Sequence, residues 1–230
     1  MGCAGVCGVY TARDFVAAPR VSRDGRRVAW LAWDHPSMPW DSTELWVADL
    51  VGTGAGCRLE GAHRMAGRRG ESLVQPAWAP DGSLYVVSDR SDWWNVYRVD
   101  AIDALSAVHG VDSEVGRPEW WFGQSRHAVA DDGTVWLTVS DAAGARLGGV
   151  EPGRRECSSH CCGRRAVVVV RGWRLAIAGG SAGGFTVLAA LVMRNTFAAG
   201  ASHHGVAYLG AMARDTHKFE SRYLDGLIGR

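Results

Sequence analysis

The 230 residues predict a mixed fold, with an all-β first half built from repeated hairpins and a short α/β segment after it. Three observations predict it. An Asp-Gly pair with β-rich flanks recurs at 24, 81 and 132. A patternless stretch runs from about Gly148 to Gly172. After residue 173, a strand, a Gly-x-Ser-x-Gly turn and an apolar helix follow one another.

The repeat comes first because a missed repeat mis-assigns the fold. Pro19-Arg20-Val21-Ser22-Arg23-Asp24-Gly25 leads into Arg27-Val28-Ala29-Trp30-Leu31-Ala32-Trp33 across Arg26. Pro76-Ala77-Trp78-Ala79-Pro80-Asp81-Gly82 leads into Leu84-Tyr85-Val86-Val87-Ser88, and His127-Ala128-Val129-Ala130-Asp131-Asp132-Gly133 into Val135-Trp136-Leu137-Thr138-Val139. Asp-Gly tolerates the positive φ of a tight turn, and the β-branched and aromatic run after it suits a strand. Glu44–Leu50 and Asn95–Asp100 read as further strands. Repeats of this size built from short strands are propeller blades, so residues 1–147 are expected to form a partial β-propeller. Closing a ring takes at least about four blades, so three copies imply missing blades or an open arc. Ten of the eleven Trp fall between residues 30 and 136, and inter-blade packing is their expected role.

Residues 148–172 read as an irregular linker or anomalous segment. Cys157, His160, Cys161 and Cys162 crowd into it, but a single cluster with adjacent cysteines is poor zinc spacing, and no metal is expected.

Residues 173–230 carry the chemistry. Arg174–Ala178 reads as a buried strand, and Gly179-Gly180-Ser181-Ala182-Gly183-Gly184 as the turn. Phe185–Met193 reads as a helix apolar all round, hence buried. In that context Gly-x-Ser-x-Gly is a nucleophile elbow. Ser181 would be held strained at the strand end, with Gly179 and Gly183 avoiding collisions and the Ala182 N–H facing a developing oxyanion. Thr196–Ser202 reads as the next strand, ending at His203-His204-Gly205. A phosphate loop would need Gly-Lys-Ser/Thr, which is absent.

These residues resemble one family. Gly179–Gly184, Phe197-Ala198-Ala199-Gly200-Ala201-Ser202 and Asp215–Gly229, together with Trp40–Trp46 and Ser88–Asn95, are similar to the prolyl oligopeptidase family of serine peptidases. Within it they are most similar to the bacterial branch of dipeptidyl aminopeptidases and acylaminoacyl-peptidases. The resemblance implies a propeller capping an α/β-hydrolase that cuts short peptides through an acyl-enzyme. Ser181 maps onto the nucleophile and Ala182 onto the oxyanion N–H donor, while His204 and Ala207 map near the substrate pocket. Phe185 stands where Tyr is usual. The family's Asp and His lie far downstream of the elbow and map onto no residue here, nor do His203, His204, His217, Asp215 or Asp225 suit a substitute triad. The resemblance breaks near Leu147 and resumes near Arg174, as in a truncated or internally deleted family member, so negligible activity is expected of these residues alone. No cofactor is implied. An esterase of the same fold and a non-catalytic propeller interaction module are the alternatives.

Composition narrows the partners. The charged groups balance to a formal +1, which gives no reason to expect nucleic acid or an anionic membrane. No apolar run approaches the roughly 18 residues of a membrane helix. Val6 stands where a myristoylation site wants Ser or Thr. Six cysteines without a secretory leader point to reduced thiols and a cytoplasmic protein.

Overall fold

The three Asp-Gly pairs close three turns of one design in the computed structural model, which describes residues 12–53, 56–120, 123–141, 144–151, 158–160, 175–195, 197–206 and 208–228. Gly25, Gly82 and Gly133 hold φ of 73°, 84° and 84°, a region L-residues enter at a cost. Each Asp accepts a backbone N–H two residues on: Arg26 on Asp24 at 3.1 Å, Ser83 on Asp81 at 2.8 Å and Thr134 on Asp132 at 2.9 Å. These bonds favour the ionised carboxylates and draw all three below the usual aspartate range. For Asp24 the larger contribution is the Ser22 hydroxyl.

Each turn lies within a four-stranded antiparallel meander. The first contains β1 (Phe15–Val21), β2 (Arg27–Trp33), β3 (Glu44–Val51) and β4 (Arg58–Ala66) in that order. The second contains β5 (Leu73–Trp78), β6 (Leu84–Ser88), β7 (Asn95–Ala101) and β8 (Ala104–Ala107). The third contains β9 (His127–Val129), β10 (Val135–Asp141), β11 (Gly144–Val150) and β12 (Ser158–His160). Sequential four-stranded sheets are the blades of a propeller-like domain. The chain divides into two compact units, residues 1–164 and 165–230, and the three blades belong to the first.

The cores lie between successive blades. Ala29, Leu31, Leu45, Val47 and Ala66 of the first blade meet Leu73, Leu84 and Val86 of the second. Val74, Val87 and Val96 of the second meet Val135, Leu137, Val139 and Val150 of the third. Val28, Trp30, Ala32 and Ala48 form a separate cluster on the other face of the first blade, which is why β2 is buried almost throughout. Trp30 and Trp46 are register partners and stack at 6.3 Å between ring centroids. Trp78 and Trp94 pack against the two inter-blade cores, the role expected of tryptophan here, while Trp30 and Trp46 pair across strands within the first blade. Trp93 is partly exposed, and Trp120 packs against Trp40 with centroids 4.3 Å apart and the rings tilted by 44°.

The inner strands of the first two blades bend at matching places. β1 shifts register between Ala17 and Arg20, and β5 between Val74 and Ala77. Ala18 and Gln75 carry the positive φ of these bulges, at 50° and 56°. His127, at the start of β9, is buried, and burial drives its pKa down to about 4. Loss of water likewise raises the Glu119 carboxyl above the usual range.

The third blade extends beyond Leu147. β11 runs to Val150, and β12 pairs with it inside the stretch read as irregular. Gly148 and Gly149 look like a break because they lack side chains, yet both are buried. A Cβ on Gly149 would stand 3.3 Å from the Trp136 ring, so the bare backbone makes room for the indole. The cysteines at 157, 161 and 162 lie outside the described residues.

The second unit holds β13 (Leu175–Gly180), α1 (Ala182–Met193), β14 (Phe197–His203), α2 (Leu209–Asp215) and α3 (Tyr223–Ile228). β13 and β14 pair in parallel, as a strand–helix–strand crossover allows. Two strands can cover only one face of α1. Val187 is buried there, while Val192 and Met193 remain 85% and 72% exposed, so the helix is not buried on all sides as its composition suggests.

Candidate active site

β13 delivers the chain to Ser181, and α1 starts at the next residue. Ser181 sits at φ 53°, ψ −122°, a conformation costing a non-glycine residue about 1–3 kcal/mol. The backbone around it is tied down at four points. Its N–H donates to the His203 carbonyl at 3.0 Å. Its carbonyl accepts from Gly184 at 2.9 Å, Phe185 at 3.2 Å and Val206 at 3.3 Å. These bonds clamp the helix start and the segment after β14 onto one residue, which over-determines the strain.

The hydroxyl is left unspent. Ser181 occupies the N-cap position, where a serine side chain ordinarily accepts a first-turn N–H, but it makes no capping bond and is exposed. The first-turn N–H groups of a helix lack intrahelical acceptors, and Ala182 heads that turn. The exposed hydroxyl thus stands beside the head of the helix at Ala182.

The glycines act differently from the sequence expectation. A Cβ on Gly179 would lie 2.6 Å from the Gly183 carbonyl carbon, so Gly179 is required. The Cβ position of Gly183 itself faces open space, and its collision with a neighbouring element is not found. Gly184 takes that role, since a Cβ there would come 2.6 Å from the Gly205 Cα and 2.8 Å from the Ser202 Oγ. Ser202 is a residue the sequence reading passed over. It ends the small-residue run of β14 and its Oγ donates to the Gly184 carbonyl at 3.1 Å. The only sequence signal for this contact is the serine and glycine flanking His203-His204.

His204 follows β14 with a left-handed φ of 49°, and the Val206 bond brings this segment beside Ser181. Ala207 lies outside the described residues. Among the described residues no imidazole hydrogen-bonds the Ser181 hydroxyl. His217 faces Glu220 at 4.0 Å, and Asp225 pairs with Arg222 at 2.6 Å. No group of three or more potential metal ligands occurs among the described residues, and no helix there is long and apolar enough to cross a membrane.

Fold and site together define a chain with a propeller-like first domain, followed in sequence by a strand, a strained serine turn and a helix. Residues 166–229 match the model of the Prolyl oligopeptidase family. Solved structures agree in fold. A puromycin hydrolase superposes with a TM-score of 0.81 at 23% identity over 95% of this chain. A puromycin-hydrolyzing peptidase from Mycobacterium tuberculosis gives 0.72 at 23% identity over 97%. The chain spans only 57% and 58% of those two proteins. No curated protein matches it.

Proposed function

We propose that residues 173–230 are the nucleophile-bearing part of an α/β-hydrolase domain, and that Ser181 is the nucleophile of a serine peptidase acting on short peptides. The observation that carries this reading is the strained, four-fold-anchored Ser181 backbone with its hydroxyl held free. Ser181 Oγ attacks a substrate carbonyl and loses its proton to a base. The oxyanion that forms accepts from the Ala182 N–H. Collapse expels the amine with a proton and leaves an acyl-serine, which water then hydrolyses. His204 and Ala207 flank the pocket for the residue before the cut.

The polypeptide of these 230 residues is expected to turn over negligibly, because no described imidazole reaches the hydroxyl to act as base. Fluorophosphonate labelling mapped by peptide mass spectrometry tests the nucleophile. Slow adduct formation concentrated on Ser181, and lost in the urea-unfolded chain, is the expected result. Label spread evenly over the serines would overturn the assignment. Turnover of an aminoacyl-nitroanilide that disappears in Ser181→Ala would overturn the expected inactivity instead.

A further inference from the structure

Wholly within the first unit, a cavity of about 360 Å³ is lined by Arg64, Gly67, Arg68, Glu71, Arg90 and Asp103. Three guanidiniums and two carboxylates leave it one net positive charge. Its frame is fixed. Gly67 (φ 105°) lies so close to the first blade that a Cβ would stand 2.8 Å from the Glu44 Cα. The Glu71 carbonyl accepts from the Thr43 N–H at 3.0 Å. The Glu71 side chain is 2% exposed and takes the Ser88 hydroxyl at 2.6 Å, Arg90 Nε at 2.9 Å and the Arg68 N–H at 3.2 Å. Asp103 is held by both Nη atoms of Arg64 at 2.6 Å, and Arg64 Nη1 also reaches the Gly67 carbonyl at 3.0 Å.

Both carboxylates are thus occupied, but the guanidiniums are not exhausted. Arg90 spends Nε on Glu71 and lays its guanidinium over the Tyr97 ring at 5.5 Å. Neither of its Nη atoms donates a hydrogen bond among the described residues, although the side chain is only 20% exposed. The Arg68 guanidinium stands 3.7 Å from Glu71 Oε2, an ion pair beyond hydrogen-bond range, and its side chain is 70% exposed. Two arginines therefore bring unused, solvent-reachable N–H forks to one cavity. Such forks match the two oxygens of a carboxylate.

We propose that this cavity between the first two blades binds a small monoanionic carboxylate, held by Arg90 and Arg68 with Arg64 as a fixed background charge. The single excess positive charge fits one negative charge and disfavours a doubly charged phosphate. The proposal is independent of the peptidase reading, since no residue of the second unit takes part.

The test is a titration of the full 230-residue chain with ¹³C-acetate at low chloride, read by ligand line broadening, with inorganic phosphate as the competing arm. Saturable acetate binding is expected. Arg68→Gln should weaken it roughly tenfold, the loss expected for a charge-assisted hydrogen bond, with the circular dichroism spectrum unchanged. Arg68 is exposed and its side chain accepts and donates no hydrogen bond within the described fold, so this variant should fold. Asp103→Asn, which raises the net charge by one, should shift preference towards phosphate. Non-saturable broadening, equal affinity in Arg68→Gln, or phosphate displacing acetate at lower concentration from the unmodified chain would each overturn the proposal.

Discussion

Gly179 and Gly183 meet backbone to backbone, so that a methyl group on the first would stand 2.6 Å from the carbonyl carbon of the second, while a methyl on the second would meet nothing within 4 Å. Two glycines in one motif thus do unequal work. Gly179→Ala must push a strand end away from a helix start and should destabilise the second unit by about 1–3 kcal/mol, the usual cost of overpacking. Gly183→Ala lies in α1 with room for its side chain and should stabilise by up to about 1 kcal/mol through helix propensity. Urea titration of the two variants followed by circular dichroism checks the contrast.

Ser181 pays a conformational cost for its position. Ser181→Gly relieves the positive φ and should raise stability by about 1 kcal/mol while abolishing fluorophosphonate labelling. Ser181→Ala should abolish labelling without that gain. The same urea titration, run beside the labelling assay, separates the two effects.

His127 links the first unit to pH. Its folded pKa of about 4 lies below the ordinary 6.5, so the unfolded chain binds the extra proton between those values. Stability is fully present above pH 6.5 and falls as pH drops towards 4, by roughly 3 kcal/mol in total. Glu119 acts in the opposite sense, since a raised carboxyl pKa favours the fold at low pH and that contribution is lost as pH rises. Denaturant midpoints from pH 7 to 4.5 should fall less steeply in His127→Asn than in the parent. Parallel slopes would contradict the assignment.

The first Asp-Gly turn isolates a backbone effect. A Cβ on Gly25 would touch nothing within 4 Å, yet the residue sits at φ 73°. Gly25→Ala should therefore cost about 1 kcal/mol from conformation alone, and Gly25→Asn less, because asparagine enters that region more readily. Thermal melts of the two variants give the comparison.

What the sequence made legible follows from how each element announces itself. β2, β3, β6, β7 and β10 carry β-branched and aromatic residues beside Asp-Gly turns, and their positions agree with the reading to within a residue or two. The strand, turn and helix around Ser181 were equally readable, because the order of apolar run, glycines and apolar run leaves little choice. β4 and β8 were not readable. They are outer strands, largely exposed, with sequences such as Glu60-Gly61-Ala62-His63-Arg64 that show no alternation. β11 was hidden by Gly148-Gly149, where the packing partner is the Trp136 ring and the strand supplies only backbone. At the serine turn, the spacing motif pointed to Gly183 as the crowded glycine. The crowding falls instead on Gly184, through Ser202 and Gly205, which come from a segment distant in sequence.

The bulges at Ala18 and Gln75 stand six residues ahead of Asp24 and Asp81 respectively, so bend and turn keep a fixed interval in two blades. In the third, the corresponding position is Arg126, whose carbonyl takes the Thr138 N–H at 2.8 Å. In the first two blades the hinge that aims the inner strand and the hairpin that returns it therefore form one unit of fixed spacing. A duplicated or transplanted blade arrives already aimed, provided the cut is made upstream of the bulge; a graft taken from the hairpin onward would leave its aiming joint behind.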